Sequence, residues 1–426
     1  MSPGDDEMPA VRTALRRPAA VFASHDVRAL VGFCLLGLVN VILPSIIFSS
    51  SYLIIPYSRP TVILIEASPA LATKLILPHV LCHVAWWLRP CFLTACWILA
   101  AVVTTAAPPN VAPPIRILMT MLASASAAAG EVSFLSQMRY YGRWGLAGWG
   151  MGTGIGRVVV AVMPHVLTYG MGMLLRDSLH CVYYLVGILL AAHFMVLPSA
   201  PLPRISTKSP WTRPAVNDEE ENIPLTPGRG APKSTAMLRS RVKRSLTLVR
   251  PLLVKFILPM FMVSSVQAFV FPASIRLQPM SASLGAFAQF KAAFGAAFQV
   301  GDFVARSSLI LFQWKQLYPL FVLLGVSSGL QLINLLFFVA SSAFSLLLLA
   351  SSVGVAGGAI YMAILSAVLG YIEHDARLVD ADFCIGVVSS GETGGIMLGA
   401  LLGAFMEMSY CASDTGARGR WCTSTR

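Results

Sequence analysis

A few ionisable side chains lie inside long apolar stretches of this 426-residue sequence, and they are where its chemistry is expected. One charged side chain at the centre of a membrane helix costs about 2.5–3.5 kcal/mol on insertion scales. Such residues therefore face a protein interior or a water-filled cavity, where they bind a ligand, form an ion pair or exchange a proton. The candidates are Glu66, Lys74, Glu131, Arg157 and Glu392.

Glu131 is the candidate for proton chemistry. A carboxylate in an apolar environment is costly in its charged form, so it can bind and release a proton as its access to water changes. That behaviour suits a proton-coupled carrier. The alternative is a structural carboxylate that pairs with Arg157 or Lys74 inside a helix bundle. The residues alone leave both hypotheses open.

Glu66 and Lys74 lie eight residues apart, which is close to two helical turns and puts them on roughly one face of a helix. They could form an ion pair that fixes this helix, or they could line a cavity together with Arg157. In either case we expect both side chains to face the interior of the bundle rather than lipid.

A glycine-rich run opens another apolar stretch, with Gly150, Gly152, Gly154 and Gly156 around Thr153. Spacings of two and four let helices approach closely, or let a helix unwind and expose its backbone to a ligand. The run is not a nucleotide-binding fingerprint, because no strand precedes it and no βαβ unit follows. Histidines and cysteines show no metal-binding spacing and no nucleophile lies beside a base, so we expect no metal, no cofactor and no enzyme activity.

The composition indicates the elements that must position these residues. Hydrophobic residues make up 56% of the chain and charged residues 12%, whereas a soluble domain carries about a quarter charged residues. Many continuous apolar runs reach the roughly 20 residues that cross a bilayer as a helix. We therefore predict an all-α membrane protein with about eleven spans. The net charge of +12 lies beside the spans without interleaved aromatic residues, which argues against nucleic-acid binding.

The distribution of apolar runs divides the chain into two helix bundles, a layout typical of carriers that rock two halves against each other. Residues 30–198 hold about six spans and residues 251–408 about five. A basic loop, residues 199–250, joins them, and its composition predicts disorder. Residues 1–29 form an N-terminal segment and residues 409–426 a C-terminal tail.

The basic residues also predict the orientation in the membrane. Lysine and arginine accumulate in cytosolic loops, which places the N-terminus and the central loop in the cytosol. An odd number of spans then places the tail on the opposite side. Cys411 and Cys422 in that tail can pair only if it lies in an oxidising lumen.

Motifs around Glu131 can be compared with known families. They are Gly130-Glu131-Val132-Ser133-Phe134-Leu135, then Tyr140-Tyr141, then Trp149 with Gly152-Thr153-Gly154; Gln299-Val300-Gly301 with Arg306-Ser307-Ser308 lies further on. Together they resemble the battenin family of lysosomal or vacuolar membrane proteins, which is related to the major facilitator fold.

The sequence departs from this family pattern at three of the candidate positions. A small residue is usual in the family where this chain has Arg157, so a cation enters a glycine-packed helix. An aspartate–threonine pair is typical where the chain has Glu392 and Thr393, and an aspartate is usual at Glu66. These differences leave the expected fold intact and bear on the identity of the ligand.

The resemblance implies a vacuolar or lysosomal protein concerned with luminal pH, basic amino acids or the clearance of glycerophosphodiesters. We expect a facilitator-like transporter of a small polar solute, coupled to protons, embedded in the lipid bilayer. The alternative is a membrane adaptor that carries nothing and regulates pH or trafficking through its central loop. That loop contains Glu221 and Leu225, a degenerate sorting signal that would contact a sorting adaptor.

Overall fold

The computed structural model describes most of the hydrophobic part of the chain. Predictions for the first 23 residues and for positions 199–248 of the central loop lie outside the described residues and stay predictions. The described residues are 24–51, 58–81, 84–106, 113–173, 177–198, 249–273, 275–279, 286–310, 316–340, 342–374, 381–413, 420 and 422.

In the described residues six helices precede the central loop, and we call them the N-terminal group. The fifth continues through a π-helical turn, Val166–Gly170, and the sixth lies between a 3₁₀ turn, Asp177–His180, and a π-helical turn, Ala192–Val196. The helices are α1 His25–Ser51, α2 Arg59–Leu81, α3 Leu88–Ala106, α4 Pro113–Met138, α5 Gly142–His165 and α6 Cys181–Ala191.

Five helices of the described part of the chain follow the central loop and form the C-terminal group. The first is flanked by two π-helical turns, Leu253–Ile257 and Phe269–Ala273. A 3₁₀ turn, Ile275–Leu277, lies between the first helix and the second, and another 3₁₀ turn, Ser308–Ile310, follows the second helix. The helices are α7 Leu258–Ala268, α8 Phe287–Ser307, α9 Tyr318–Phe337, α10 Ala343–His374 and α11 Ala381–Ala412.

Ten helices in the described part of the chain are long and apolar enough to cross a membrane. The helix that falls short is α8, which carries Lys291, Asp302 and Arg306 in 21 residues. The prediction of an all-α membrane fold is confirmed. About eleven spans were predicted, and the described residues contain eleven α-helices, of which all but α8 belong to the ten candidate spans. The charges of α8 are tolerated because Asp302 and Arg306 face protein rather than lipid.

The two groups repeat one packing pattern. In the N-terminal group α1 packs on α5 and on α4, and α2 packs on α4; in the C-terminal group α7 packs on α11 and on α10, and α8 packs on α10. These contacts match if α1, α2, α4 and α5 correspond to α7, α8, α10 and α11. The main contacts between the groups, α2 with α11 and α5 with α8, match in the same way. The helices therefore have an approximate twofold arrangement.

Glycines make the closest of these contacts. A Cβ at Gly152 would collide with the carbonyl oxygen of Cys34 on α1, and one at Gly154 would lie 3.0 Å from the Cα of Phe303 on α8. Successive glycines of the run thus face different neighbours of α5. The helix is continuous from Gly142 to His165, so in this structure the glycines serve close packing and the helix is not unwound.

Candidate functional site: a buried charge network

Six charged side chains meet where the two helix groups face each other, and we call them the charge network. They come from α4, α2, α11, α5 and α8, so five helices contribute. Three carboxylates alternate with three cations along the network, so the formal charges cancel. In spatial order the residues are Glu131, Lys74, Glu392, Arg157, Asp302 and Arg306.

Lys74 on α2 connects the carboxylates of α4 and α11. Its Nζ lies 2.8 Å from Glu131 Oε2 and 4.0 Å from Glu392 Oε2. The same ammonium donates a hydrogen bond to the carbonyl oxygen of Ser389 at 3.3 Å. The lysine side chain is buried, so these three acceptors replace its hydration.

Arg157 on α5 connects Glu392 of α11 with Asp302 of α8. Its Nη2 donates to Glu392 Oε1 at 2.8 Å, and its Nη1 lies 3.6 Å from Asp302 Oδ2. Arg157 and Glu392 were two departures from the family pattern, and the structure brings them together. The additional cation is thus balanced by a carboxylate from the opposite helix group.

Arg306 ends the network on α8. Its Nε donates to Asp302 Oδ2 at 2.7 Å, its Nη1 donates to Thr153 Oγ1 at 3.4 Å, and its guanidinium lies 3.9 Å from the ring centre of Tyr361. Thr153 in turn donates its hydroxyl to the carbonyl oxygen of Trp149 at 2.8 Å. Hydrogen bonds to two different partners, together with the contact with an aromatic ring, hold this guanidinium in one orientation.

The approximate twofold arrangement relates two of the ion pairs. Lys74–Glu392 joins α2 to α11, and Asp302–Arg157 joins α8 to α5, the corresponding pair of helices. The charges are reversed between the two pairs: the cation is on α2 in one and the anion on α8 in the other. Both pairs cross the interface between the groups, so movement of one group against the other must remake them.

The three carboxylates differ in how firmly they are held. Glu392 and Asp302 each contact two cations, and their side chains are 8% and 0% exposed. Glu131 forms an ion pair with Lys74 and its side chain as a whole is 17% exposed, whereas its Oε1 is buried and has no hydrogen-bond partner in the described residues. Asp302 Oδ1 also has no hydrogen-bond partner among the described residues. A Cβ on Gly358 would lie only 2.8 Å from this oxygen, so the backbone of Gly358 leaves no space for a ligand beside it. Glu131 is the carboxylate with most access.

Most of the candidate residues lie in the charge network, but Glu66 does not. The ion pairs of Lys74 are with Glu131 and Glu392 rather than with Glu66. Side chains of one helix contact each other when they are three or four residues apart. Glu66 and Lys74 are eight residues apart, about 12 Å along the helix axis, which is too far for an ion pair within α2. The backbone carbonyl of Glu66 accepts a hydrogen bond from Ser124 on α4.

Asp302 is a network residue that the sequence analysis missed. It lies four residues before Arg306, the spacing at which oppositely charged side chains of one helix meet. That spacing inside an apolar run was the available signal.

Gly130, which belongs to the family motif, has a packing role. A Cβ there would collide with Asn40 on α1, whose Nδ2 donates a hydrogen bond to the carbonyl oxygen of Ala127 at 3.1 Å.

The described residues contain no group of three or more histidine, cysteine, aspartate or glutamate side chains that could hold a metal ion. The charge network itself consists of ion pairs and titratable carboxylates at an interface between two helix groups.

Comparison with known proteins identifies the family. The sequence model of the CLN3 protein family matches residues 31–413. The chain belongs to the CLN3, or battenin, family. The family predicted from the motifs around Glu131 is thereby confirmed.

Several fungal proteins are similar over nearly the whole chain. Protein BTN1 of Chaetomium globosum is 28% identical, over 93% of this chain and 91% of the relative. Protein btn-1 of Neurospora crassa is 25% identical, over 95% and 93%. Protein BTN1 of Saccharomyces cerevisiae is 25% identical, over 92% and 97%.

A solved structure shares the fold. It is a bacterial homolog of the human lysosomal transporter Spinster, in an inward-facing and unoccupied conformation. The TM-score is 0.50 and the sequence identity 13%, over 92% of this chain and 84% of that one. At this identity the likeness concerns the fold alone, and it agrees with the predicted major-facilitator-like architecture.

Proposed function

We propose that this multi-span membrane protein is a facilitator-like transporter that moves a small polar solute, with Glu131 as its proton-binding group. The observation that carries the proposal is the charge network across the interface of the two helix groups. Three of its ion pairs, Lys74–Glu392, Arg157–Glu392 and Arg157–Asp302, cross that interface, so a rocking motion must remake them, and its most exposed carboxylate side chain lies at one end.

Protonation of Glu131 would be passed on along the network. A neutral Glu131 no longer attracts Lys74, which then depends on Glu392 at 4.0 Å. A closer approach of Lys74 to Glu392 competes with Arg157 for the same carboxylate. Proton uptake at one end thus redistributes the pairs that hold α2 and α5 to α11.

Both solute classes that the family resemblance implies, basic amino acids and glycerophosphodiesters, could bind at this site. A basic amino acid presents a cation, and the buried, unpartnered Oε1 of Glu131 would accept a hydrogen bond from it once movement of the helix groups exposes that atom. A glycerophosphodiester presents an anion, which Lys74 can bind once Glu131 is protonated. Both remain candidates, and a role in vacuolar pH homeostasis follows from proton coupling in either case.

Features at the two ends of the bundle support a vacuolar or lysosomal membrane location with a luminal tail. Cys411 and Cys422 form a disulfide at the end of α11, as expected of an oxidising compartment. At the other end Arg89 donates to the carbonyl oxygen of Leu81, the last residue of α2. Arg28 and Arg143 donate to carbonyl oxygens that follow α6 and α8. A row of arginines on that side supports a cytosolic N-terminus and central loop.

The test is a comparison of solutes in vacuoles isolated from cells that have or lack the protein. We expect one solute class to accumulate in its absence, and wild type but not Glu131→Gln to reverse this. Asp177→Asn, an exposed carboxylate outside the network, is the matched control and should behave as wild type. An unchanged profile with altered luminal pH or sorting would replace the transporter with the adaptor that acts through the central loop.

A further inference from the structure

Arg157 is the most exposed side chain of the charge network. It is 27% exposed, whereas the other two cations, Lys74 and Arg306, are 3% and 1% exposed. Glu392 of α11 and Asp302 of α8 hold it from two sides, and both carboxylates are buried. The exposed part of the guanidinium therefore opens into the space between the two helix groups rather than towards lipid.

The contacts of Arg157 leave hydrogen-bond donors for a ligand. A guanidinium has five N–H donors in a planar fork. Nη2 donates to Glu392 Oε1 at 2.8 Å, and the distance of 3.6 Å from Nη1 to Asp302 Oδ2 is longer than a hydrogen bond. Among the described residues Arg157 makes no hydrogen bond besides the one with Glu392. Its remaining donors match the oxygens of a carboxylate or phosphate group.

An anion that binds to Arg157 disturbs the charge balance of the network. The three carboxylates and three cations cancel formally. An additional negative charge among buried side chains is costly unless it is compensated. Protonation of Glu131 provides the compensation, because it removes one negative charge from the same network.

Lys74 is the charged group in direct contact with Glu131, with 2.8 Å between Nζ and Oε2. The partners of Cys96 and Arg89 on α4, Ser126 and Ser136, are each five residues away from Glu131. Proton binding at Glu131 therefore depends first on Lys74. The next titratable or charged groups on the surrounding helices of the described chain are Glu66 and His79 of α2, Cys96 and Arg89 of α3, Arg157 of α5, Tyr361 of α10 and Glu392 of α11.

The ion pairs connect Arg157 to Glu131 through two intermediate side chains. An oxyanion that takes Arg157 away from Glu392 leaves this carboxylate to Lys74, which lies 4.0 Å from it. Movement of Lys74 towards Glu392 takes it away from Glu131. A carboxylate without its cation in apolar surroundings binds a proton, so anion binding at one side chain is passed on to the other.

We propose that the solute carries a carboxylate or phosphate group, that Arg157 binds this oxyanion, and that its binding brings a proton to Glu131. The inference rests on the proposed function and names the chemistry of its solute and the sign of its coupling. By linkage, protonation must strengthen oxyanion binding as much as the oxyanion strengthens proton binding. Oxyanion binding therefore tightens as the pH falls. A solute that offers Glu131 a cation alone would instead release a proton.

Calorimetry on purified full-length protein in detergent measures this coupling. The probes are acetate and dimethyl phosphate, which carry the two kinds of oxyanion and stay ionised near neutral pH, at constant ionic strength. Titrations in two buffers with different heats of ionisation give the number of protons taken up with each anion. We expect uptake by wild type and none by Glu131→Gln, which should bind the anion at least about fivefold more tightly, the lower end of usual coupling between sites. Whichever probe binds identifies the oxyanion.

The role of Arg157 is tested without unbalancing the network. The double variant Arg157→Gln/Glu392→Gln loses one cation and one carboxylate, and it should bind either anion at least about tenfold more weakly. Arg157→Lys keeps a charge beside Glu392 but loses the planar fork, so it should also weaken binding if the double variant does not fold. Lys255→Gln is the matched control, since this lysine lies outside the network and should leave binding unchanged.

Three results would overturn the proposal: no binding of either anion, binding without proton uptake, or equal affinity in wild type and the Arg157 variants. A titration with methylammonium separates this failure from failure of the proposed function. Release of a proton on methylammonium binding would keep Glu131 as the proton-binding group of a transporter and refute the oxyanion alone. Binding of neither the anions nor methylammonium would count against both.

Discussion

Replacement of Lys74 by methionine tests whether the charge network is as tightly coupled as its geometry indicates. Lys74 is 2.8 Å from Glu131 and 4.0 Å from Glu392. Without it, Glu392 keeps Arg157 at 2.8 Å, whereas Glu131 loses its ion pair. Removal of one partner from a buried pair costs about 3–5 kcal/mol, so we expect Lys74→Met to lower the free energy of unfolding by that amount.

Glu131→Gln should be milder. Lys74 retains Glu392 and the carbonyl oxygen of Ser389, so its charge remains satisfied. The loss is that of one hydrogen bond between charged groups, about 1.5–3 kcal/mol. The double variant removes both charges together and restores the balance. We therefore expect the double variant to be destabilised by about 0.5–3 kcal/mol less than the sum of the two single effects, the usual coupling of residues in contact.

The assay is equilibrium unfolding of the purified protein in mixed detergents at constant pH, for the wild type, both single variants and the double variant. Lys255→Met serves as the control. The Nζ of this lysine lies over the rings of Phe256 and Tyr371, and Lys255 does not belong to the charge network. If the double variant is destabilised by the sum of the two single effects, Lys74 and Glu131 do not interact and the reasoning fails.

Three further predictions follow from contacts elsewhere. Arg157→Gln and Glu392→Gln should each reduce the amount of folded protein, and the double variant should restore part of it, as measured by size-exclusion chromatography; no restoration would argue against their 2.8 Å pair. Gly152→Ala should destabilise by about 1–3 kcal/mol through collision with α1, whereas Gly187→Ala, which meets open space on α6, should be neutral or slightly stabilising in thermal unfolding. A membrane-impermeant reductant should open the Cys411–Cys422 disulfide, detected by thiol labelling, in permeabilised vacuoles but not in intact ones; reduction in intact vacuoles would reverse the proposed orientation.

The helices and the family were predictable because they depend on local properties of the chain. Apolar runs of spanning length mark each helix, and the motifs around Glu131 are contiguous in sequence. Ionisable residues inside such runs are rare and costly, which is why Lys74, Arg157 and Glu392 could be selected without a structure.

The partners of those residues were predictable only in part: a pair of Glu131 with Lys74 was among the open hypotheses and is present, whereas the pairs of Glu392 were not expected. Helical periodicity places a side chain on a face of its own helix, and so it suggested Glu66 for Lys74, whereas the carboxylates that bind Lys74 come from α4 and α11. Glu392 lies 318 positions further along the chain, and no local rule connects them. Asp302 was missed for another reason: Gln289, Lys291 and Gln299 already interrupt the apolar pattern of α8, so one more polar residue in this helix is not a distinct signal.

The central claim is that Glu131 couples solute movement to protons, and a flux measurement tests it most directly. The solute identified in vacuoles would be supplied to proteoliposomes that contain the purified protein, with and without an imposed pH gradient. We expect wild type to accumulate the solute when the gradient is present, and Glu131→Gln to equilibrate it without accumulation. Gradient-driven accumulation by Glu131→Gln equal to that of wild type would contradict the claim.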